Sequence, residues 1–228
     1  YFKEVNSQAL QASLFNLDDA FKRCFKKQGG FPNYKSRRGR QSFTCPGNMR
    51  KIDFDKQLLT IPKIKDIPIV LSKAFKGEIR SVTISRVPSG KYFASVLVEN
   101  NVSLPATRPL NPVATVGIDV GIRNLMVLSD GRLVHNNRYL DNSLKRLQVL
   151  GQRLYRKKKG SKNRDKARIR LAIQHEKVAN QRRDYMHKET SRIAYDNQIG
   201  GICVESLGLQ SMMMLQGQKG LSRRLADA

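Results

Sequence analysis

The chain has 228 residues and carries 43 Lys and Arg against 18 Asp and Glu, giving a formal net charge of +25 and a pI of about 10.4. That length allows one large domain or two modest ones, and so large a cationic excess repels itself unless a polyanion neutralises it. No apolar run approaches the ~20 residues of a membrane-spanning helix, which leaves nucleic acid as the expected partner.

The N-terminal 27 residues read as the end of a helical segment. Val5, Leu10, Leu14, Leu17, Phe21 and Phe25 recur at spacings of three to five, with Lys and Arg between them. Gly29-Gly30 stops the helix and Phe31-Pro32 begins an extended stretch. A short basic patch follows, with Lys35, Arg37, Arg38 and Arg40 beside Phe31 and Tyr34, a mixture that suits a nucleic-acid surface.

From about residue 42 to 104 the texture is that of short strands, expected at 51–55, 57–61, 67–71, 77–86 and 92–99. Ser81 to Ser85 alternates cleanly, and Val87-Pro88-Ser89-Gly90 connects the last two strands as a hairpin. Strands in such quick succession imply a small antiparallel barrel or sandwich. Three prolines between Ser103 and Pro112 mark a domain boundary.

Beyond it, strands are expected at 114–120, at 125–129 and from Arg132, with a turn at Gly121–Asn124 and a hairpin turn at Asp130-Gly131. Leu144, Leu147, Leu150 and Leu154 form an apolar stripe at helical spacing. Lys157–Asn163 breaks that helix, and a second runs from about Arg164 to Asn197. Ile199–Val204 reads as a buried strand ending on Glu205, and Leu207 onward begins another helix. The fold class is therefore mixed α/β.

Two acids carry the chemistry. Asp119 stands inside the apolar run Val116-Gly117-Ile118-Asp119-Val120-Gly121, where a carboxylate is expensive unless something balances it. Neighbouring glycines leave room for a phosphate backbone to approach. Glu205 is delivered by a second apolar run, so strands lying side by side would bring the two carboxylates to one sheet end. Such a pair suits Mg²⁺ or Mn²⁺, because hard divalent ions take oxygen ligands and complete their shell with water and phosphate. Two ions about 3.5–4 Å apart would then activate water and stabilise a leaving oxygen.

Charge is the third feature. Between Asp141 and Arg192 there are 17 Lys and Arg against 5 Asp and Glu. Arg156, Lys157, Lys158, Lys159, Lys162, Asn163 and Arg164 crowd a turn, an arrangement natural for cradling phosphates. Arg182 and Arg183 extend the basic helix. His135, His175 and His187 lack partners at metal-ligand spacing, Asp130 reads as a turn residue, and Met212–Met214 reads as a packing cluster. Cys24, Cys45 and Cys203 are scattered and form no C-x-x-C pair, so a reducing cytoplasm is expected.

These residues resemble a family. Val116–Gly121 with Asn124 and Ser129-Asp130-Gly131 is similar to the first RuvC motif of TnpB proteins, transposon-encoded RNA-guided nucleases related to type V CRISPR effectors. The likeness continues through Lys159–Arg164, His175–Arg182 and Val204–Leu207, and upstream through Ser7–Leu10, Leu17–Phe21 and Phe31-Pro32. It implies the end of a recognition lobe over 1–28, an oligonucleotide-binding-like wedge barrel over 29–108, and an RNase H-like RuvC domain over 109–228. It also implies RNA-guided cleavage of double-stranded DNA, with Asp119 and Glu205 as the first two catalytic acids holding Mg²⁺ or Mn²⁺. The family's third acid and its zinc ribbon have no counterpart in these residues. The chain starts without Met and reads as stopping in mid-helix, so a shortened or partial nuclease is expected, inactive by itself. The alternatives are a cleavage-deficient RNA-guided repressor and a DNA-strand transferase.

Overall fold

The computed structural model describes residues 6–34, 41–46, 51–103, 106, 109, 111–196 and 199–206. The chain divides into two compact units, Tyr1–Pro105 and Ala106–Ala228.

The first unit opens with helix α1, Ser7–Phe25. Its N-cap is Asn6, whose side-chain oxygen accepts from the Gln8 amide at 3.0 Å and so satisfies one of the amides a helix start leaves open. Only Ala9 is buried, and the expected apolar positions Leu14, Leu17 and Phe25 remain exposed. Lys27 takes a left-handed conformation at the helix exit, just ahead of Gly29-Gly30.

Six strands follow: β1 (Gln41–Pro46), β2 (Lys51–Asp53), β3 (Leu58–Ile61), β4 (Ile64–Pro68), β5 (Glu78–Arg86) and β6 (Tyr92–Glu99). They form two three-stranded antiparallel sheets, ordered β1-β5-β6 and β2-β3-β4. One core joins them, with Ile52, Leu59 and Ile61 of one sheet packed with Val82 of the other. Three details depart from the sequence expectations. β1 has too polar a sequence to announce itself and is held by pairing with β5. β2 stops at Asp53, whose side chain accepts from the amides of Asp55 and Lys56 and turns the chain. β4 starts three residues early, because Pro62-Lys63 makes a two-residue hairpin turn with Lys63 at φ 72°, where glycine is usual.

The second unit contains a four-stranded sheet ordered β10-β7-β8-β9, built from β7 (Thr115–Val120), β8 (Asn124–Leu128), β9 (Leu133–His135) and β10 (Gly201–Val204). β7, β8 and β9 form an antiparallel meander, and β10 returns parallel to β7. The expected turns are present. Gly121 stands in a close approach, since a Cβ there would sit 3.1 Å from the Asn124 carbonyl oxygen, and Gly131 has a φ of 88° in the Asp130-Gly131 turn.

Two helices connect β9 to β10: α2 (Tyr139–Tyr155) and α3 (Lys162–Ala194). They pack on each other, with Leu147 buried and Leu144, Leu150 and Leu154 half-buried, as the apolar stripe predicted. α3 begins two residues ahead of expectation because Ser161 caps it, accepting from the Arg164 amide at 3.2 Å. Along α3 the inward positions Val178, Tyr185 and Ile193 recur at helical spacing. Tyr185 and Ile193 reach the sheet and join Ile118, Leu125, Met126 and Leu128 in one core. No helix among the described residues is long and apolar enough to cross a membrane.

Candidate metal centre and basic surface

Strand pairing fixes the relation between the two acids. Gly201 to Val204 of β10 pair in register with Thr115 to Ile118 of β7. Glu205 follows Val204, and Asp119 follows Ile118, so the acids occupy corresponding positions at the carboxyl ends of parallel neighbours, strands about 4.8 Å apart. Both line one open concavity of ≈ 380 Å³ with Gly117, Val127, Ser129 and Cys203. Alternation explains the grouping. Val116 and Ile118 face the helices and the core, which puts Gly117 and Asp119 on the opposite face, with Val127 across from Asp119 on β8.

Two sequence expectations change here. Asp119 is exposed rather than buried within its strand, so no desolvation penalty singles it out. β10 is a sheet edge, with Ile202 44% and Val204 54% exposed, because β7 is its partner among the described strands and α3 covers the sheet further in. What distinguishes the acids is their company. Neither the Asp119 nor the Glu205 carboxylate has a hydrogen-bond or ion-pair partner among the described residues, in a chain of 43 Lys and Arg.

Hydrogen bonds and an ion-pair bridge tie the frame around them. Ser129 Oγ accepts from the Gly117 amide at 3.0 Å, and the Ser129 amide donates to the Gly117 carbonyl at 2.9 Å. This clamp joins the two strands two residues before Asp119 and was not legible in the sequence beyond the Ser129-Asp130-Gly131 turn. Beside it, Arg132 bridges Asp130 and Asp196, at 2.6 Å and 2.8 Å, tying the β8–β9 turn to the exit of α3. The Arg132 hydrogen bonds hold the Asp130 carboxyl below its ordinary value of 3.8, so Asp130 is the turn residue the sequence predicts.

The donor set fits a hard divalent cation through two carboxylates and open solvent positions. Among the described residues no group of three or more His, Cys, Asp or Glu is gathered for metal binding. His135, His175 and His187 accordingly belong to no such group.

The basic turn divides by role. Arg156, Lys157, Lys158, Lys159, Lys162 and Asn163 are exposed, and none of the five cations meets a carboxylate among the described residues. Arg164 instead turns inward and donates to the carbonyls of Leu154 and Lys157, at 3.0 and 2.9 Å. Arg182 is half-buried on the inner face of α3, whereas its neighbour Arg183 is exposed. Lys35, Arg37, Arg38 and Arg40, like Met212–Met214, lie outside the described residues.

Comparison with known proteins defines the class. Residues 95–216, more than half the chain, match the model of the IS605 OrfB family, described as "Probable transposase", and the chain belongs to that family. Among its relatives, "Putative RNA-guided DNA endonuclease InsQ" of Escherichia coli K12 is 32% identical over 240 residues, covering 100% of this chain and 58% of the relative. A "Putative RNA-guided DNA endonuclease" of Streptomyces pristinaespiralis is 32% identical over 237 residues, covering 100% of this chain and 55% of its own. One from Mycobacterium tuberculosis H37Rv is 31% identical over 227 residues, covering 89% of this chain and 47% of the relative. The chain thus spans about half the length of the curated relatives it matches. The TnpB-type resemblance seen in the sequence is shown by these matches.

Proposed function

We propose that this chain contributes the wedge barrel and the metal-binding half of a RuvC domain to an RNA-guided DNA endonuclease of the transposon-encoded kind. The observation that carries the proposal is the register: Asp119 and Glu205 stand at corresponding ends of parallel neighbours and line one concavity. A meander of three antiparallel strands with a fourth parallel to the first is the strand order expected of an RNase H-like sheet. Two small antiparallel sheets around one core support the oligonucleotide-binding-like reading of residues 29–108.

In this reading Asp119 and Glu205 are the protein's oxygen ligands for Mg²⁺ or Mn²⁺. Bound there, the ion supplies Lewis acidity to the scissile phosphate and lowers the pKa of an attacking water. The chain's own residues do the rest. The Ser129–Gly117 clamp keeps the Asp119 strand end fixed, so little reorganisation is left for the moment of reaction. Gly117 and Gly121 keep the approach open to a phosphate backbone. The exposed cations of the α2–α3 turn and of α3 neutralise phosphates of guide RNA and target DNA, positioning them without reading sequence.

The test is cleavage by the full-length protein with its co-purifying RNA. Asp119→Ala is expected to abolish Mg²⁺-dependent cutting while leaving RNA binding intact. Undiminished cutting would show that the acid is misassigned. Guide-directed binding without cutting is the second reading, and it predicts no metal-dependent product from either protein. Joined rather than cleaved DNA ends would instead identify a strand transferase.

A further inference from the structure

A second concavity, of ≈ 330 Å³, lies on the helix face of the same sheet, between the chain leaving β9 and the middle of α3. Leu125, 3% exposed, lines it together with Ala179 and Met186, which makes part of its lining apolar. Tyr139 and Tyr185 also line it, their rings edge to face with centroids 6.0 Å apart. Both hydroxyls are engaged. Tyr185 donates to the His135 carbonyl at 2.7 Å, and the Tyr139 oxygen accepts from Asn137 Nδ2 at 3.1 Å. The rings are held in place before any ligand arrives, which lowers the entropic cost of binding.

Polar groups, among them the half-buried Arg182, complete the lining. Asn136 is spent on the protein, donating to the Ile122 carbonyl and accepting from the Arg138 amide. That fixes the lining loop to the β7–β8 turn. Asn137 keeps its amide oxygen available, and Arg183 is exposed with no carboxylate partner among the described residues. The volume is at the small end for a ligand site. Flat aromatic surface, one amide and one unpaired cation suit a single aromatic heterocycle bearing a phosphate.

We propose that this concavity captures one unstacked nucleotide of a single strand, its base against Tyr139 and its phosphate on Arg183. The placement supports this over an acidic peptide. Asp119 pairs with Val127 on β8, and Leu125 lies two residues further along that strand, about 7 Å, where the irregularity between Asn124 and Met126 breaks the alternation and Leu125 joins the core on the helix face. The nucleotide site and the acids therefore occupy the same end of the sheet on opposite faces. A strand passing around the Gly121–Asn124 turn is gripped on one face and presents a backbone phosphate on the other.

The proposal rests on the nucleic-acid reading above, and the experiment separates the two. The chain is titrated with a labelled 12-nucleotide single strand and with the matching 12-base-pair duplex. Tyr139→Ala and Arg183→Ala are each expected to weaken single-strand binding, the tyrosine variant by about 5- to 150-fold, the range of one base stacked on an aromatic ring. Duplex affinity is unchanged for Tyr139→Ala, and Tyr139→Phe retains single-strand binding. Lys158→Ala weakens both forms. Photocrosslinking of a 5-iodouracil-substituted strand is expected to label Tyr139 or Tyr185. Equal loss for both forms in Tyr139→Ala, an unchanged single-strand affinity, crosslinks confined to residues 156–164, or competition by an acidic peptide confined to this concavity would overturn the proposal. Wild-type chain that binds neither form would overturn the nucleic-acid reading and this site with it.

Discussion

The Arg164 guanidinium, in the first turn of α3, donates to the Leu154 carbonyl at 3.0 Å, in the last turn of α2. It bonds the Lys157 carbonyl as well, and it is a second donor to the Leu154 carbonyl, which also accepts from the Lys157 amide at 3.2 Å. Ser161 fastens the same turn by donating from its hydroxyl to the Lys158 carbonyl at 2.9 Å. Arg164 is thus a brace, and the lysines around it are held out to solvent.

Arg164→Ala is expected to lower stability by about 1–2 kcal/mol, the scale of charge-assisted bonds at a partly exposed site. Its effect on nucleic-acid affinity should vanish once the fold is restored by lower temperature. Urea unfolding paired with binding at 10 °C checks this. Full stability with lost binding would make Arg164 a phosphate contact instead.

The opposite pattern is expected for the lysines. Replacing Lys157, Lys158 and Lys159 together by Ala should leave stability nearly unchanged. If each meets one phosphate, the slope of log affinity against log salt should fall by about 2.7, at roughly 0.9 per duplex phosphate. A slope that does not move would remove the turn from the interface.

Arg132 offers a pH test. It depresses the Asp130 carboxyl in the folded chain, so the pair's stabilising contribution is present above the ordinary value of 3.8 and is lost as pH falls through the lower folded value. Acid unfolding of the wild type should therefore contain a component below about pH 4 that Arg132→Ala lacks. Identical acid profiles would show the bridge to be energetically silent, as exposed pairs often are.

How much of this was readable beforehand follows from which forces act locally. The Leu144–Leu154 stripe and the Asp130-Gly131 turn are properties of a few consecutive residues, and both appear as expected. β1 was not readable, since it is held by β5 from forty residues away. The site was legible as two acids on two apolar runs, yet the reason first given, a buried Asp119, does not hold. Its strand turns that side chain to the open face, and only the parallel pairing of β10 with β7 reveals why Glu205 belongs beside it. Nor could sequence distinguish Arg164 from its basic neighbours, because its partners lie across a turn on another helix.

The central claim is that Asp119 and Glu205 together hold a divalent cation. The most direct measurement replaces Mg²⁺ by Fe²⁺ in the presence of ascorbate and maps the resulting backbone cuts by mass spectrometry. Radicals released at the ion should cut the chain around residues 117–119, 127–129 and 203–205, the three segments lining the concavity, and excess Mg²⁺ should suppress them. Asp119→Asn and Glu205→Gln should each erase the pattern. Cuts centred elsewhere, or a pattern that survives both substitutions, would contradict the account.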